Sequence, residues 1–406
     1  MYKLYSLLLL FILSGVSCSG DKVTLDTGAS LKYCEQQVNR SLPLLKESFK
    51  MPRNILSDES SGNWNCTSIY DWTSGFWPGI LWYLYEYDHD ENIKKEAERF
   101  TAALYPVVDR KTDNHDLGFM MYCSLGNGYR LTGNEEYKKV LLRAADSLAT
   151  LYDLRVGTIH SWPGMREKMG WPHNTIIDNM LNLELLFWAA KNGGGEQLYK
   201  IANRHAEVTM ENQFRNDFST CHVVVYDTIT GNRIKQVTHQ GYADSSMWAR
   251  GQGWAIYGFT MCYRETRNPA FLETARKAAD LYLSRLPEDM IPYWDFDFDD
   301  GSSEPRDSSS AAIAACGMLE MAKYLEPEEA EKYTALAEKL IKALCDHCAV
   351  KDHSESNGLL LHGTYARASK GNPCTNRGVD ECNTWGDYFF MEALTRLTAD
   401  WKVYWY

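Results

Sequence analysis

The sequence predicts an all-α protein, an (α/α)6 barrel in which six inner helices are wrapped by six outer ones. Three observations predict it. Helical segments of two kinds alternate along the chain, the connections between them alternate short and long, and 406 residues with 45 % hydrophobic and 24 % charged content suffice for one large core.

The first kind of segment carries one apolar stripe. Ile93, Ala97, Phe100, Leu104 and Val107 recur at helical spacing, as do Tyr137, Leu141, Ala144, Leu148 and Leu151. Similar stripes run through about 28–50, 196–215, 269–287 and 328–349. The second kind is apolar almost all round, which describes a helix buried on every side. These segments are 74–87, 117–131, 174–192, 245–266, 307–325 and 383–397. Links from an all-round segment to the next striped one are short: 88–90, 132–133, 193–195, 267–268 and 326–327. The returning links are mostly long, namely 51–73, 154–173, 216–244, 288–306 and 350–382, with 111–116 the short exception. In a ring of helical hairpins all returning links emerge at one end, so the long loops gather over one mouth of the barrel, where function is expected. Within them, 222–240 alternates around Thr230-Gly231-Asn232 and reads as a hairpin.

The N-terminus reads as an address. Lys3, the apolar run Leu7 to Leu13 and the small residues Ser14 to Ser17 form a signal peptide, 1–18, too short to span a membrane. The mature chain is therefore expected to be exported to the periplasm. Cys18 is either a lipid-anchored first residue or an ordinary part of the leader. A single (α/α)6 domain then occupies 28–406. Of the remaining cysteines only Cys345 and Cys348 lie close, and buried thiols or one disulfide suit them better than a metal. With 42 basic against 54 acidic residues the formal charge is −12, which gives no attraction to a nucleic-acid backbone. Thirteen tryptophans and 25 tyrosines suit both a core and the flat walls of a sugar site.

Loops and first turns of the all-round segments hold Asp71-Trp72, His115-Asp116, Trp162, Asp178, His222, His239-Gln240, Trp248, Arg250, Trp254, Asp295, Arg306-Asp307, and Trp385 with Asp387. Paired acids among aromatic planes point to carbohydrate chemistry. Asp178 lies among Ile176, Ile177, Met180 and Leu181, a setting that raises a carboxyl pKa and suits a proton donor; the alternative is a buried aspartate satisfied by first-turn amides. Asp116 is either a second site carboxylate or the N-cap of the helix it precedes. Arg250 clamps a substrate carboxylate or forms an ordinary buried ion pair. His222 and His239, taken singly, read as structural, and core packing is the default for tryptophans outside loops. Gly251-Gln252-Gly253 is no phosphate loop, because no strand precedes it.

These residues also carry a family resemblance. Asp71-Trp-Thr-Ser-Gly-Phe-Trp77, His115-Asp-Leu-Gly-Phe119, Ile177-Asp-Asn-Met180, Asn182-Leu-Glu-Leu-Leu186, Thr238-His-Gln-Gly241, Trp248-Ala-Arg-Gly-Gln-Gly-Trp254, Tyr293-Trp-Asp-Phe296, Arg306-Asp-Ser308 and Trp385-Gly-Asp-Tyr388 occur in order over nearly the whole mature chain. Together they resemble the unsaturated glucuronyl hydrolases, glycoside hydrolase family 88. The resemblance implies an (α/α)6 barrel that removes a 4,5-unsaturated uronic acid from the non-reducing end of lyase-generated oligosaccharides by hydrating the C4=C5 vinyl ether, with no metal or other cofactor. It makes Asp178 the general acid/base and Asp116 the second essential carboxylate. His222, Gln240, Trp248 and Arg250 fall on substrate-contacting positions, Trp254 lies in the same motif, Trp72 and Trp162 form aromatic walls, and His362-Gly-Thr-Tyr365 resembles a family segment. The other readings are an unsaturated rhamnogalacturonyl hydrolase acting on pectin fragments, a polysaccharide lyase, and a non-catalytic glycan-binding lipoprotein.

Overall fold

The computed structural model describes residues 25–45, 50–56, 62–351 and 356–398. The expected leader and Cys18 lie outside the described residues, as does the end of the expected domain beyond residue 398. Among the described residues the long helices are α1 (Thr27–Ser41), α2 (Phe76–Asp88), α3 (Glu91–Ala102), α4 (Gly118–Gly126 continued by Asn127–Thr132), α5 (Glu135–Ala149), α6 (Asn179–Ala189), α7 (Glu196–Asn212), α8 (Ala249–Thr266), α9 (Pro269–Ser284), α10 (Ser308–Ala322), α11 (Pro327–Ala343) and α12 (Thr384–Thr398).

The even-numbered helices pack side by side in chain order, and α12 returns to α2 to close an inner ring. Each odd-numbered helix from α3 to α11 lies on the inner helix before it, and α1 lies on α12, so the first outer helix seals the ring at its last member. Burial follows the two sequence patterns. Helix α5 buries only the stripe of Tyr137, Val140, Leu141, Ala144, Ala145 and Leu148, whereas every residue of α10 is buried. The small residues of α10 let it approach α8 closely: a Cβ at Gly317 would stand 2.8 Å from the backbone of Tyr257.

Helix ends divide by ring. Outer helices α1, α3, α5 and α9 are capped by the side chains of Asp26, Asp90, Asn134 and Asn268. The inner helices α2, α4, α6, α8 and α10 begin at the mouth with no hydrogen bond from an N-cap side chain, and their positive dipole ends converge on it. Short strands brace the mouth loops: β1 (Met51–Ile55), β2 (Asn65–Thr67), β3 (Tyr152–Asp153), β4 (Thr158–Ile159), β5 (His173–Ile176), β6 (Val223–Tyr226), β7 (Arg233–Val237) and β8 (Cys382–Asn383). The sheet order β5-β6-β7 contains the hairpin expected at 222–240, and β2-β1-β8 ties the first long loop to the last.

Some boundaries differ from expectation. Residues 174–176 are strand rather than helix, because pairing with β6 outweighs the apolar run that continues into α6. The first nine residues of α4 wind in wide π-type turns, where Ser124 Oγ donates to the carbonyls of Met120 and Met121. All ten described cysteines are free thiols, Cys345 and Cys348 included, so the disulfide reading fails among the described residues.

Opposite the mouth, the ring is fastened by buried charge. Glu320 of α10 is 1 % exposed and meets Arg396 of α12 at 2.7 Å, Arg264 of α8 at 3.6 Å and Lys323 at 3.1 Å; Arg264 also pairs with Glu184 of α6. Burial opposes ionisation of Glu320, but these cations hold its carboxyl well below the usual range. Glu320→Ala should therefore destabilise the fold by roughly 3–5 kcal/mol, because buried cations lose their counter-charge. Denaturant unfolding that shows under 1 kcal/mol would mean the other carboxylates of the network suffice.

Candidate active site

The first turns of the inner helices deliver the acids. Asp178 follows β5 and occupies the position just before α6; its side chain makes no cap hydrogen bond and its Oδ2 is buried without a partner. Asp116 stands before α4 and does not cap it either; its own N–H is held by Asn114 Oδ1 at 2.9 Å. Two further bonds fix this strand of the mouth: His115 N–H donates to Ser161 O, and Phe119 N–H to Asn182 Oδ1 on α6. Burial pushes both carboxyls up. Asp178 rises to about 6, with the neighbouring charge of Asp116 adding to burial and His115 and Arg250 opposing it. Asp116 rises further, to about 8, because Asp71 and Asp113 add their negative charge to its desolvation. The sequence placed the donated proton on Asp178, yet burial beside Asp71 and Asp113 makes Asp116 hold a proton more firmly.

Two neutral histidines flank the acids. His115 Nε2 lies 3.5 Å from Asp116 Oδ1, and burial lowers this imidazole to about 4. His222 Nδ1 accepts the backbone N–H groups of His239 (3.1 Å) and Gln240 (3.0 Å). Its ring proton therefore resides on Nε2, 3.8 Å from Asp178 Oδ2 and otherwise unpartnered. Desolvation keeps the ring uncharged.

Beside the segment that carries Asp116 opens a cavity of about 580 Å³ lined by Asp113, Asn114, Trp162, Lys168, His239, Gln240, Tyr365 and Arg377, among others. Trp162 is the link between the two levels, with its ring 5.7 Å from that of His222 and 5.2 Å from that of His239. On the other side Trp72 stacks on Tyr365 at 6.1 Å and touches Trp385 at 5.1 Å. The indole N–H of Trp72 and Nδ1 of His239 are buried without partners. His239 lines the cavity, so its unpartnered nitrogen is available there to a polyhydroxylated ligand.

Other expected residues sit elsewhere. Trp254 is 0 % exposed and packs between Phe119 and Phe389, so it belongs to the core of the ring rather than to a ligand surface. Trp248 is buried against His222, with ring centroids 4.5 Å apart, and supports that ring from behind. Arg250 is no open clamp. Its Nη1 pairs with Asp307 and donates to Thr364 O (2.6 Å), its Nη2 donates to Tyr365 O (2.8 Å), and its guanidinium lies over Trp248. The buried ion pair is the reading that fits. Asp295 and Asp387 are loop fasteners: the first accepts Tyr242 N–H and Ser246 Oγ–H, the second the N–H groups of Leu359 and Leu360.

Arg53 was not foreseen. Its side chain is 5 % exposed, lies 3.5 Å from Asp71 and covers the rings of Tyr365 (4.9 Å) and Trp385 (5.8 Å). Thus the buried cation behind the aromatic wall comes from β1, where nothing in Met51-Pro-Arg-Asn-Ile55 marks it. Among the described residues no group of three or more His, Cys, Asp or Glu is placed to hold a metal ion.

Because Arg250 anchors the carbonyls of both Thr364 and Tyr365, Arg250→Lys should loosen the loop that carries Tyr365. Each lost charge-assisted bond is worth roughly 1.5–3 kcal/mol. A thermal-melt midpoint equal to that of the wild type would show that this loop is held by other contacts.

The sequence matches Glycosyl Hydrolase Family 88 over residues 50–398. It is 35 % identical to an unsaturated chondroitin disaccharide hydrolase of Streptococcus pneumoniae over 94 % of each chain. It is 40 % identical to an unsaturated glucuronyl hydrolase of Formosa agariphila over 80 % of each. The fold superposes on the crystal structure of the Bacillus sp. GL1 unsaturated glucuronyl hydrolase with a TM-score of 0.86 at 34 % identity, covering 94 % of this chain and 99 % of that one. The closed double ring and these matches have one common explanation: the chain belongs to glycosyl hydrolase family 88.

Proposed function

We propose that the protein removes a 4,5-unsaturated uronic acid from the non-reducing end of acidic, glycosaminoglycan-type oligosaccharides. The observation that carries this reading is the grouping of Asp116, Asp178 and the unpartnered Nε2–H of His222, which Trp162 joins to a neighbouring cavity of disaccharide size. The names of the relatives agree with it, since they act on unsaturated chondroitin disaccharides or unsaturated glucuronides. The leader expected in residues 1–18 puts the reaction in the periplasm, on an enzyme that is free or anchored through Cys18.

The chemistry needs one proton donor and one proton acceptor. Protonation of C4 of the vinyl ether leaves positive charge at C5 and the ring oxygen, and water adds at C5 while giving up its proton. The hemiketal so formed opens between C5 and the ring oxygen, and the resulting hemiacetal at C1 expels the aglycone with its own hydrogen. One water is consumed in all. The carboxyl pair meets both needs when it holds a single proton: the acid member serves C4, and the ionised member stabilises the cation and takes the proton of water. In this reading the unpartnered His222 Nε2–H and Trp72 indole N–H hold the sugar, with Trp72 and Trp162 as its walls. Gln240 and Tyr365 line the space for the leaving sugar.

A single-proton pair sets the pH dependence. Below about 6 both carboxyls are protonated and no base remains; above about 8 both are ionised and no acid remains. The profile of kcat/KM should therefore be bell-shaped with its top between these values. Asp178→Asn and Asp116→Asn should each cost on the order of 10²–10⁴ in rate while folding normally, and the double variant should be far less than multiplicatively worse. A flat profile from pH 5 to 9, or near-normal turnover by either folded variant, would take the pair out of the mechanism.

Hydration also differs from ordinary glycoside cleavage in where the proton goes. In deuterated water, product taken at early times should carry deuterium at C4, against a control of product alone, and a saturated uronide should resist cleavage. Mass spectrometry showing unlabelled C4, or cleavage of the saturated uronide, would point to protonation of the glycosidic oxygen instead.

A further inference from the structure

Two buried arginines stand near the mouth, and they are held in opposite ways. Arg250 commits its fork to Asp307 and to the carbonyls of Thr364 and Tyr365. Arg53 on β1 commits nothing of the kind. Its side chain is 5 % exposed, its Nε is buried without a hydrogen-bond partner, and its side chain makes no hydrogen bond among the described residues. What it has is one carboxylate, Asp71 Oδ2 at 3.5 Å from its Nε, and two aromatic rings, Tyr365 at 4.9 Å and Trp385 at 5.8 Å. Taking a guanidinium out of water without hydrogen bonds costs more than so long an ion pair returns, so stability does not explain its place. Its plane and its charge do.

The plane backs the aromatic wall. Tyr365 and Trp385 are the rings against which Trp72 lies, at 6.1 and 5.1 Å. The charge acts through Asp71. Oδ1 of that residue accepts the N–H of Thr73 at 3.0 Å and its hydroxyl at 2.7 Å, which turns Oδ2 to Arg53. The turn that follows presses on the start of α4, three residues after Asp116: a Cβ at Gly75 would stand 2.2 Å from Phe119 O, and the rings of Trp72 and Phe119 are 5.9 Å apart. The titratable groups about Asp116 are therefore Asp71 from the loop ahead of α2, Asp113 and His115 from its own segment, and Asp178 at the start of α6. Among the charges that push the Asp116 carboxyl up, Asp71 is the largest, and Asp113 is exposed to water.

We propose that Arg53 and Asp71 form a positioning pair for the reaction: Asp71 makes Asp116 the acid that keeps the shared proton, Arg53 sets how firmly, and the same guanidinium braces the wall against which the sugar lies. The inference rests on the single-proton carboxyl pair proposed above. It gives the two halves of one ion pair opposite effects on the same proton, which a loss of packing would not do. Asp71→Asn removes a negative charge facing Asp116 and keeps the oxygen that accepts from Thr73, so Asp116 should lose its proton at lower pH. Arg53→Met removes the cation at similar length and leaves Asp71 unopposed, so Asp116 should hold its proton to higher pH.

The test is kcat/KM of the full enzyme from pH 5 to about 10 on a non-sulfated unsaturated glucuronyl disaccharide, followed by its loss of ultraviolet absorbance. The alkaline limb, where the last proton of the pair is lost, should move down by about one pH unit in Asp71→Asn and up by about half a unit or more in Arg53→Met. Arg53→Lys keeps the charge but loses the plane over Tyr365, so the limb should stay while KM rises roughly threefold. Limbs that stay in place in both charge variants, or move the same way in both, would overturn the pair. A limb that moves as far in Arg53→Lys as in Arg53→Met would trace the effect to packing and overturn it too. Should Arg53→Met fold poorly by circular dichroism, the other two variants decide: Asp71→Asn must lower the limb and Arg53→Lys must leave it. A wild type with a flat profile, or inert toward the disaccharide, would instead overturn the function on which the inference stands.

Discussion

The buried pair of Arg250 and Asp307 is the fastening on which the mouth depends. Arg250 comes from the first turn of α8 and Asp307 stands just before α10, so the pair joins neighbouring inner helices where the ring opens. Asp307 also accepts Ser309 Oγ–H and Thr364 N–H, and Arg250 holds the carbonyls of Thr364 and Tyr365. The long last loop is thereby pinned to the barrel, and Tyr365 is set against Trp72 and under Gln240, whose amide also donates to Tyr365 O. An arginine used in this way cannot also be a free fork for a ligand. Its charge still reaches Asp178, where it works against the rise that burial imposes.

That rise is the other half of the design. A carboxyl shut away from water stays protonated unless something nearby favours its charge, and the two site acids differ in what they have nearby. Asp178 faces His115, Arg250 and the Nε2–H of His222; Asp116 faces Asp71 and Asp113. Their separation, with one near 6 and the other near 8, opens a pH interval in which one proton is shared between two acids. Arg53 enters through Asp71, because a cation 3.5 Å from that carboxylate tempers the negative field that Asp116 feels.

Much of this was legible in the sequence, and the reasons are physical. The alternation of striped and all-round helices is a direct record of how many sides of each helix face protein, so ring and order could be read from it. Loop lengths recorded which end is the mouth. Asp178 was visible because a carboxylate among Ile176, Ile177, Met180 and Leu181 carries a desolvation cost that either first-turn amides or a functional role must offset, and the structure shows no such cap bond. Arg250 and Trp254 misled for the same reason that they stood out: both lie in a motif-rich first turn, and sequence spacing does not say whether a side chain points into the opening or between helices. The strand at 173–176 was hidden because a β-branched run ahead of a buried helix has the same apolar signature as the helix itself. Arg53 was invisible, since its importance comes from a ring pair over 300 residues away. The proton order of the acids was likewise out of reach, for it depends on Asp71 and Asp113 being folded toward Asp116.

A formal charge of −12 would seem ill suited to an acidic ligand, and the resolution lies in the local field. Five inner helices open at the mouth, and their dipole ends give it positive potential that no count of side chains records. The carboxyl pair holds a proton and thus presents one negative charge fewer than its composition suggests. The histidines there are neutral donors rather than cations, which means they can contact an anion without first paying to be charged in a buried place. Lys168 and Arg377 at the rim then supply the few full positive charges, in contact with solvent, where desolvation is least. Surface acidity and an anion-binding mouth are therefore compatible, because screening cuts the first off within a Debye length while the second acts at contact distance.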